Sequence, residues 1–131
     1  MSQRIVECVP NFSEGRDKAK IKQITDALEA VPGVRLLDVD PGADTNRTVV
    51  TIVGDPEAVL EAAFQGVKKA AEVIDMALHH GAHPRMGATD VCPFIPVEGV
   101  TMEDCAELAR RLGHRVGHEL GIPVYLYEAA A

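Results

Sequence analysis

Residues 34–53 constrain the fold more than any other stretch. VRLLDVD (34–40) and RTVVTIV (47–53) are two β-branched runs joined by PGADTN, whose Pro, Gly, Asp and Asn favour a tight reversal. Both runs therefore predict strands of one antiparallel hairpin. A two-stranded hairpin is not stable alone in water, so the flanking chain must cover one of its faces.

The flanks are patterned to do so. RIVECV (4–9) is rich in β-branched residues and stops at Pro10-Asn11, which predicts a strand, and NFSEGR (11–16) reads as a turn. From Asp17 to Ala30, the residues Ile21, Ile24 and Leu28, followed by Val31, recur at spacings of three and four, the stripe of a helix that Pro32-Gly33 ends. Asp55-Pro56-Glu57 supplies an N-cap, a proline at the first helical position and an acid in the first turn. That helix should run to about Leu78 and bury Val59, Ala63, Val67, Ala70 and Ile74. VCPFIPV (91–97) is apolar, but Pro93 and Pro96 cannot donate to a ladder, which predicts an edge or irregular strand. Thr101, with Asp104 in the capping-box position, opens a third helix with Cys105, Leu108, Leu112 and Val116 on its inner face. Gly121-Pro123 ends it, and VYLY (124–127) predicts a last strand.

Strand, helix, strand, strand, helix, strand is the order of a ferredoxin-like sandwich. The expected fold class is therefore α+β, a βαββαβ sandwich with helices on one face of an antiparallel sheet, extended by an added helix and strand. No repeat or linker divides the chain, and residues 1–131 read as one domain. Its 47% hydrophobic and 25% charged residues argue against disorder.

Charge narrows the partners. Thirteen basic residues against twenty acidic ones give a net charge of -7, with no long basic run. Nucleic acid and acidic membranes are disfavoured, and an anionic ligand would need local arginines. Three widely spaced cysteines make neither a disulfide framework nor a CxxC clamp. A reduced, cytoplasmic setting fits them. The chain has no apolar run long enough to span a bilayer, and its start does not have the pattern of a signal peptide.

The stretch HHGAHPRMGATD (79–90) concentrates three of the five histidines. His79 and His83 would share a helical face, but Gly81 and Pro84 oppose a continuous helix there, and a zinc site usually wants four ligands. No metal is expected. In an extended His83-Pro84-Arg85 the two polar side chains leave the same side, which suits a histidine passing protons near neutral pH beside an arginine that holds an anion. A structural turn with surface histidines is the alternative. His114 and His118 share a face near a helix C-terminus, where positive charge is favourable.

Asp38 and Asp40 alternate with Leu37 and Val39, so both carboxylates face one way at a strand exit. They either solvate a turn or bind a ligand amine or a histidine. Arg47 opens the partner strand, close to Asp40 across the hairpin, where a simple ion pair, worth little if exposed, is the alternative to a ligand contact. Asn11 and Arg16 belong to a polar loop that lacks nucleotide-phosphate spacing. Cys8, Cys92 and Cys105 sit in apolar elements and read as inert buried thiols.

The linked stretches VECVPNFSEGR (6–16), LLDVD (36–40), TNRTV (45–49), HPRMGATDVCPFIPV (83–97) and PVYLY (123–127) resemble the N-terminal subdomain of the glutamate formiminotransferase family, including the transferase half of formiminotransferase-cyclodeaminase. The resemblance covers essentially the whole chain. It implies a fold of two ferredoxin-like halves, usually dimeric, with substrate in the cleft between them. It also implies transfer of a formimino group between the glutamate nitrogen and N5 of tetrahydrofolate, which serves as co-substrate. The catalytic proton donor or acceptor of the family falls on His83, and Asp40 is the expected nearby carboxylate. Asn11, Arg16, Arg47 and Arg85 are the expected substrate-binding residues. The family continues beyond Tyr127 into the rest of the first subdomain and a second one, and much of the folate surface lies in that further part, so this chain should pair with a second copy or with a complementary C-terminal subdomain. Two alternatives stand beside transfer of a formimino group: a non-catalytic half that binds folate or a partner chain, and transfer of a formyl group.

Overall fold

In a computed structural model, which describes residues 3–74 and 88–122, the predicted hairpin is present. In chain order the elements are β1 (Ile5–Cys8), β2 (Asn11–Phe12), α1 (Lys18–Glu29), β3 (Val34–Gly42), β4 (Arg47–Gly54), α2 (Pro56–Val73), β5 (Thr89–Val91), β6 (Phe94–Glu98) and α3 (Met102–Arg115), with a π-helical turn at Val116–Leu120. The second helix stops at Val73, short of the expected Leu78, because Ile74 takes up an extended backbone; residues 75–78 and the expected strand at 124–127 lie outside the described residues.

All pairings are antiparallel. The fourth strand β4 pairs with β1 through Cys8 opposite Ile52 and with β2 through Phe12 opposite Thr48, so β1 and β2 are one strand broken at Val9-Pro10. On its other side this broken strand pairs with β6 and β5, which are broken in turn at Cys92-Pro93. Among the described residues the sheet thus has four tracks, β3, β4, β1/β2 and β6/β5 in spatial order, which is the expected ferredoxin-like arrangement. At the breaks the hydrogen bonding continues off-register: Val9 N–H donates to the Pro93 carbonyl at 3.1 Å, and Val50 N–H to the Pro10 carbonyl at 3.0 Å.

Helix boundaries follow the capping chemistry. The Asp17 carboxylate accepts the N–H groups of Ala19 and Lys20, and that of Asp55 accepts those of Glu57 and Ala58. Thr101 and Asp104 form the reciprocal capping box. The helices pack on one face of the sheet. Val6, Cys8, Phe12, Val50, Ile52 and Phe94 of the strands are buried there with Ile24, Leu28, Val59, Ala63, Val67, Leu108 and Leu112 of the helices. The two first helices approach closely at Gly66, where an added Cβ would lie 2.6 Å from Leu28 Cδ2. Across α2 and α3, the Arg111 guanidinium grips Glu57 with two bonds of 2.7 Å, and Arg115 reaches Glu61 at 2.6 Å while lying 3.7 Å over the Phe64 ring.

Three expectations are corrected. NFSEGR is not all turn, because Asn11 and Phe12 resume the ladder once Pro10, which has no N–H, is passed. The reversal is shorter than PGADTN, because Pro41 and Gly42 extend β3 and only residues 43–46 turn. Pro41 is tolerated there because, among the described strands, β3 is paired only with β4. Finally, β3 carries a bulge: Leu36 pairs with Ile52 and Asp38 with Thr51, leaving Leu37 between them, 54% exposed. Leu37 therefore does not share the buried side with Leu36 and Val39.

Candidate functional site

Three of the site candidates, Asn11, Asp40 and Arg47, stand on the face of the sheet opposite the helices. Asn11 lies across from Val49 of β4, and Val49 lies across from Asp40 of β3. On the other side Asn11 faces Val91. Directly opposed residues share a face, so Val91, Asn11, Val49 and Asp40 form one row across all four tracks. Their partners in alternation, Phe12 and Thr48, point into the core and are buried. Two strand spacings separate Asn11 from Asp40, roughly 10 Å. Asp38, two residues from Asp40 and past the bulge, stands on the same open face, as the alternation predicted.

Arg47, exposed, pairs with Gly42 at the hairpin end. It is thus a diagonal neighbour of Asp40 on the same face. Arg16 reaches this end from the other side, where its Nε donates to the Ala43 carbonyl at 2.8 Å. The Asn11 amide donates to the Val9 carbonyl at 3.1 Å, which fixes its orientation. Four of the six predicted site residues, Asn11, Arg16, Asp40 and Arg47, are therefore brought to one end of the sheet. His83 and Arg85, with His79 and His80, lie outside the described residues. Before β5, the description resumes at Ala88, whose carbonyl accepts the Ser13 N–H at 2.7 Å at this same end.

Sequence reasoning missed what holds this end together. Glu14, only 6% exposed, turns its carboxylate back to accept the N–H groups of Arg16 and Asp17, each at 3.0 Å. The buried Thr48 hydroxyl donates to the Glu14 carbonyl. Asn46, in the left-handed region at φ 54°, accepts the Gly15 N–H at 2.9 Å. Gly15 is flat against the hairpin, since a Cβ there would lie 2.3 Å from the Gly42 oxygen and 2.6 Å from the Arg47 nitrogen. The loop 13–16 and the turn 43–46 are thus one bonded unit. The one sequence signal was an acid three positions before the Asp17 cap.

Chemically, this end offers carboxylate acceptors for N–H donors and guanidinium groups for carboxylates. Hydrogen bonds from Arg111 and Arg115 hold the Glu57 and Glu61 carboxyls below their ordinary range. Among the described residues no group of three or more His, Cys, Asp or Glu side chains could hold a metal. His114 and His118 are exposed and stacked, with ring centroids 6.0 Å apart. No helix among the described residues is long and apolar enough to cross a membrane.

An α+β sandwich with one face of its sheet clear of the described helices is the scaffold here, and its sequence matches a known family. Residues 5–131 match the formiminotransferase domain, N-terminal subdomain, and the chain belongs to that family. Among its relatives, the formimidoyltransferase-cyclodeaminase of Sus scrofa is 58% identical over 131 residues, all of this chain and 24% of the relative. The glutamate formimidoyltransferase of Thermoplasma acidophilum is 56% identical over 127 residues, 97% of this chain and 42% of the relative. That of Streptococcus pyogenes serotype M1 is 52% identical over 128 residues, 98% of this chain and 43% of the relative. The chain thus spans between about a quarter and less than half of these proteins.

Proposed function

We propose that this chain, as a single N-terminal formiminotransferase subdomain spanning residues 1–131, supplies part of a site that transfers the formimino group from N-formimino-L-glutamate to N5 of tetrahydrofolate. The observation that carries the reading is the row from Asn11 to Asp40 on the open face, with Arg47 and Arg16 at the same end. The relatives named glutamate formimidoyltransferase support it.

In this reaction an amine attacks an amidine carbon. The tetrahedral diamine that forms must lose the glutamate nitrogen as a neutral amine, so that nitrogen has to gain a proton while the attacking nitrogen loses one. His83 serves both transfers, because an imidazole with an ordinary pKa of about 6.5 exists in both protonation states near neutrality. Asp40 is the carboxylate that orients it or accepts from its N–H. Arg47, Arg16 and Arg85 hold substrate carboxylates by paired charge-assisted bonds, and Asn11 adds a neutral polar contact. Folate dependence, a cytoplasmic setting and pairing with a C-terminal subdomain or a second copy belong to the same reading.

The test is formimino transfer to tetrahydrofolate by this chain beside His83→Ala. A loss of about a hundredfold or more in turnover, with an unchanged unfolding midpoint, is expected. Equal, measurable turnover in both proteins would remove His83 from the mechanism. A second reading, a binding half that turns nothing over by itself, rests on the chain spanning only 24% to 43% of these relatives. Its mark is tetrahydrofolate binding without transfer until the complementary subdomain is added.

A further inference from the structure

Cys8 and Cys92 are 84 positions apart in the sequence, yet their sulfurs are 3.4 Å apart and both thiols are free. Cys8 ends β1 on the helix side of the sheet and is fully buried, whereas Cys92 follows β5 and is half-buried. The two therefore meet where both strand tracks are broken, next to the bond from Val9 N–H to the Pro93 carbonyl. The inert, separate thiols expected from sequence are instead a touching pair. Neither belongs to the polar row on the open face.

We propose that Cys8 and Cys92 form an oxidisable dithiol that hydrogen peroxide closes to a disulfide, stapling β1 to the segment between β5 and β6. Accessibility sets the order of events, because Cys92 is the partner that solvent reaches. Burial first, and then the bond to Cys92, push the Cys8 thiol up, which keeps Cys8 protonated until its partner has reacted. The Cys92 thiolate attacks one peroxide oxygen, the O–O bond breaks, and the hydroxide released takes up a proton as water. Cys92 is then a sulfenic acid. The Cys8 sulfur attacks the Cys92 sulfur, the S–O bond breaks, and the departing hydroxide leaves as a second water with the Cys8 proton. Two thiols have lost two electrons, and one peroxide has become two waters.

Closure needs little movement. A disulfide bond of about 2.05 Å must form from a contact of 3.4 Å, an approach of roughly 1.4 Å. Cys92 lies outside the regular strands, so that shift does not require breaking a continuous ladder. Cys105 is buried on α3 and should stay reduced.

The experiment exposes the whole native chain to a small molar excess of hydrogen peroxide and follows thiol titration, intact mass and a non-reducing peptide map. Free thiols should fall from three to one, the mass should fall by about 2 Da, and a Cys8–Cys92 linked peptide should appear that dithiothreitol removes. Cys92→Ser should abolish the linked peptide and the mass loss, but the wild-type map decides the matter even if that variant folds poorly. Three persisting thiols, cross-links shared with Cys105, or a gain of about 16 or 32 Da at Cys92 with Cys8 still free would each overturn the proposal.

Discussion

The two faces of the sheet obey opposite rules. On the helix side, Val6, Cys8, Phe12, Val50, Ile52 and Phe94 are almost completely buried against the helices' apolar stripes, and among the described residues Glu14 is the one buried charged side chain. On the open side, Asn11, Asp38, Asp40 and Arg47 stand among partly exposed valines, and Ile95 and Val97 are 41% and 54% exposed. Since alternate residues of each strand serve opposite faces, one short segment such as Asn11-Phe12 contributes to both. Stability and ligand chemistry are thus separated by a single residue step, and substitutions on neighbouring positions should have unlike effects.

The sharpest contrast is Ile52→Ala. Ile52 is fully buried between the strands and the helices, and its truncation should cost about 2–5 kcal/mol, read as a lower urea midpoint. A loss under about 1 kcal/mol would mean that the helix face is not the main source of stability. Gly15→Ala should fall in between, costing roughly 1–3 kcal/mol, because its methyl group meets backbone atoms of Gly42 and Arg47. It also displaces the turn that carries Arg47, so ligand affinity should fall along with the urea midpoint. Unchanged affinity would separate the loop from the site.

The smallest effect belongs to Glu57→Gln. Arg111 lowers the folded-state pKa of Glu57 below its unfolded value, so the contribution is present above the ordinary carboxylate range and is lost as pH falls through the folded value. The pair is exposed, so the wild type should gain no more than about 1 kcal/mol over the variant at pH 7. That gain should vanish in acid below the folded pKa. A variant equally destabilised at both pH values would attribute the effect to packing.

The helix side was the more legible in sequence. Spacing of Ile24 and Leu28, the caps at Asp55 and Thr101, and the inner face from Cys105 to Val116 all depend on local chemistry, and each stands as expected. The open face was legible only in part. The hairpin brought Asp40 near Arg47, as the alternation implied, but Asn11 joined them through β2, a two-residue strand too short to show a period. The bulge at Leu37 is set by long-range pairing, which no window of neighbouring residues records, whereas the break at Cys92-Pro93 falls where Pro93 had marked an irregular strand. Glu14, in a stretch that read only as a turn, is buried because its carboxylate accepts the amides two and three residues on while the Thr48 hydroxyl binds its carbonyl.

The most direct test of the functional reading is an amide NMR titration of this chain with tetrahydrofolate, mapped residue by residue. Shifts should cluster on Asn11, Asp40, Arg47, Val49 and Val91, with the α1–α2 surface silent. Shifts centred on the helices, or none at millimolar ligand, would contradict the assignment of the open face as the ligand surface.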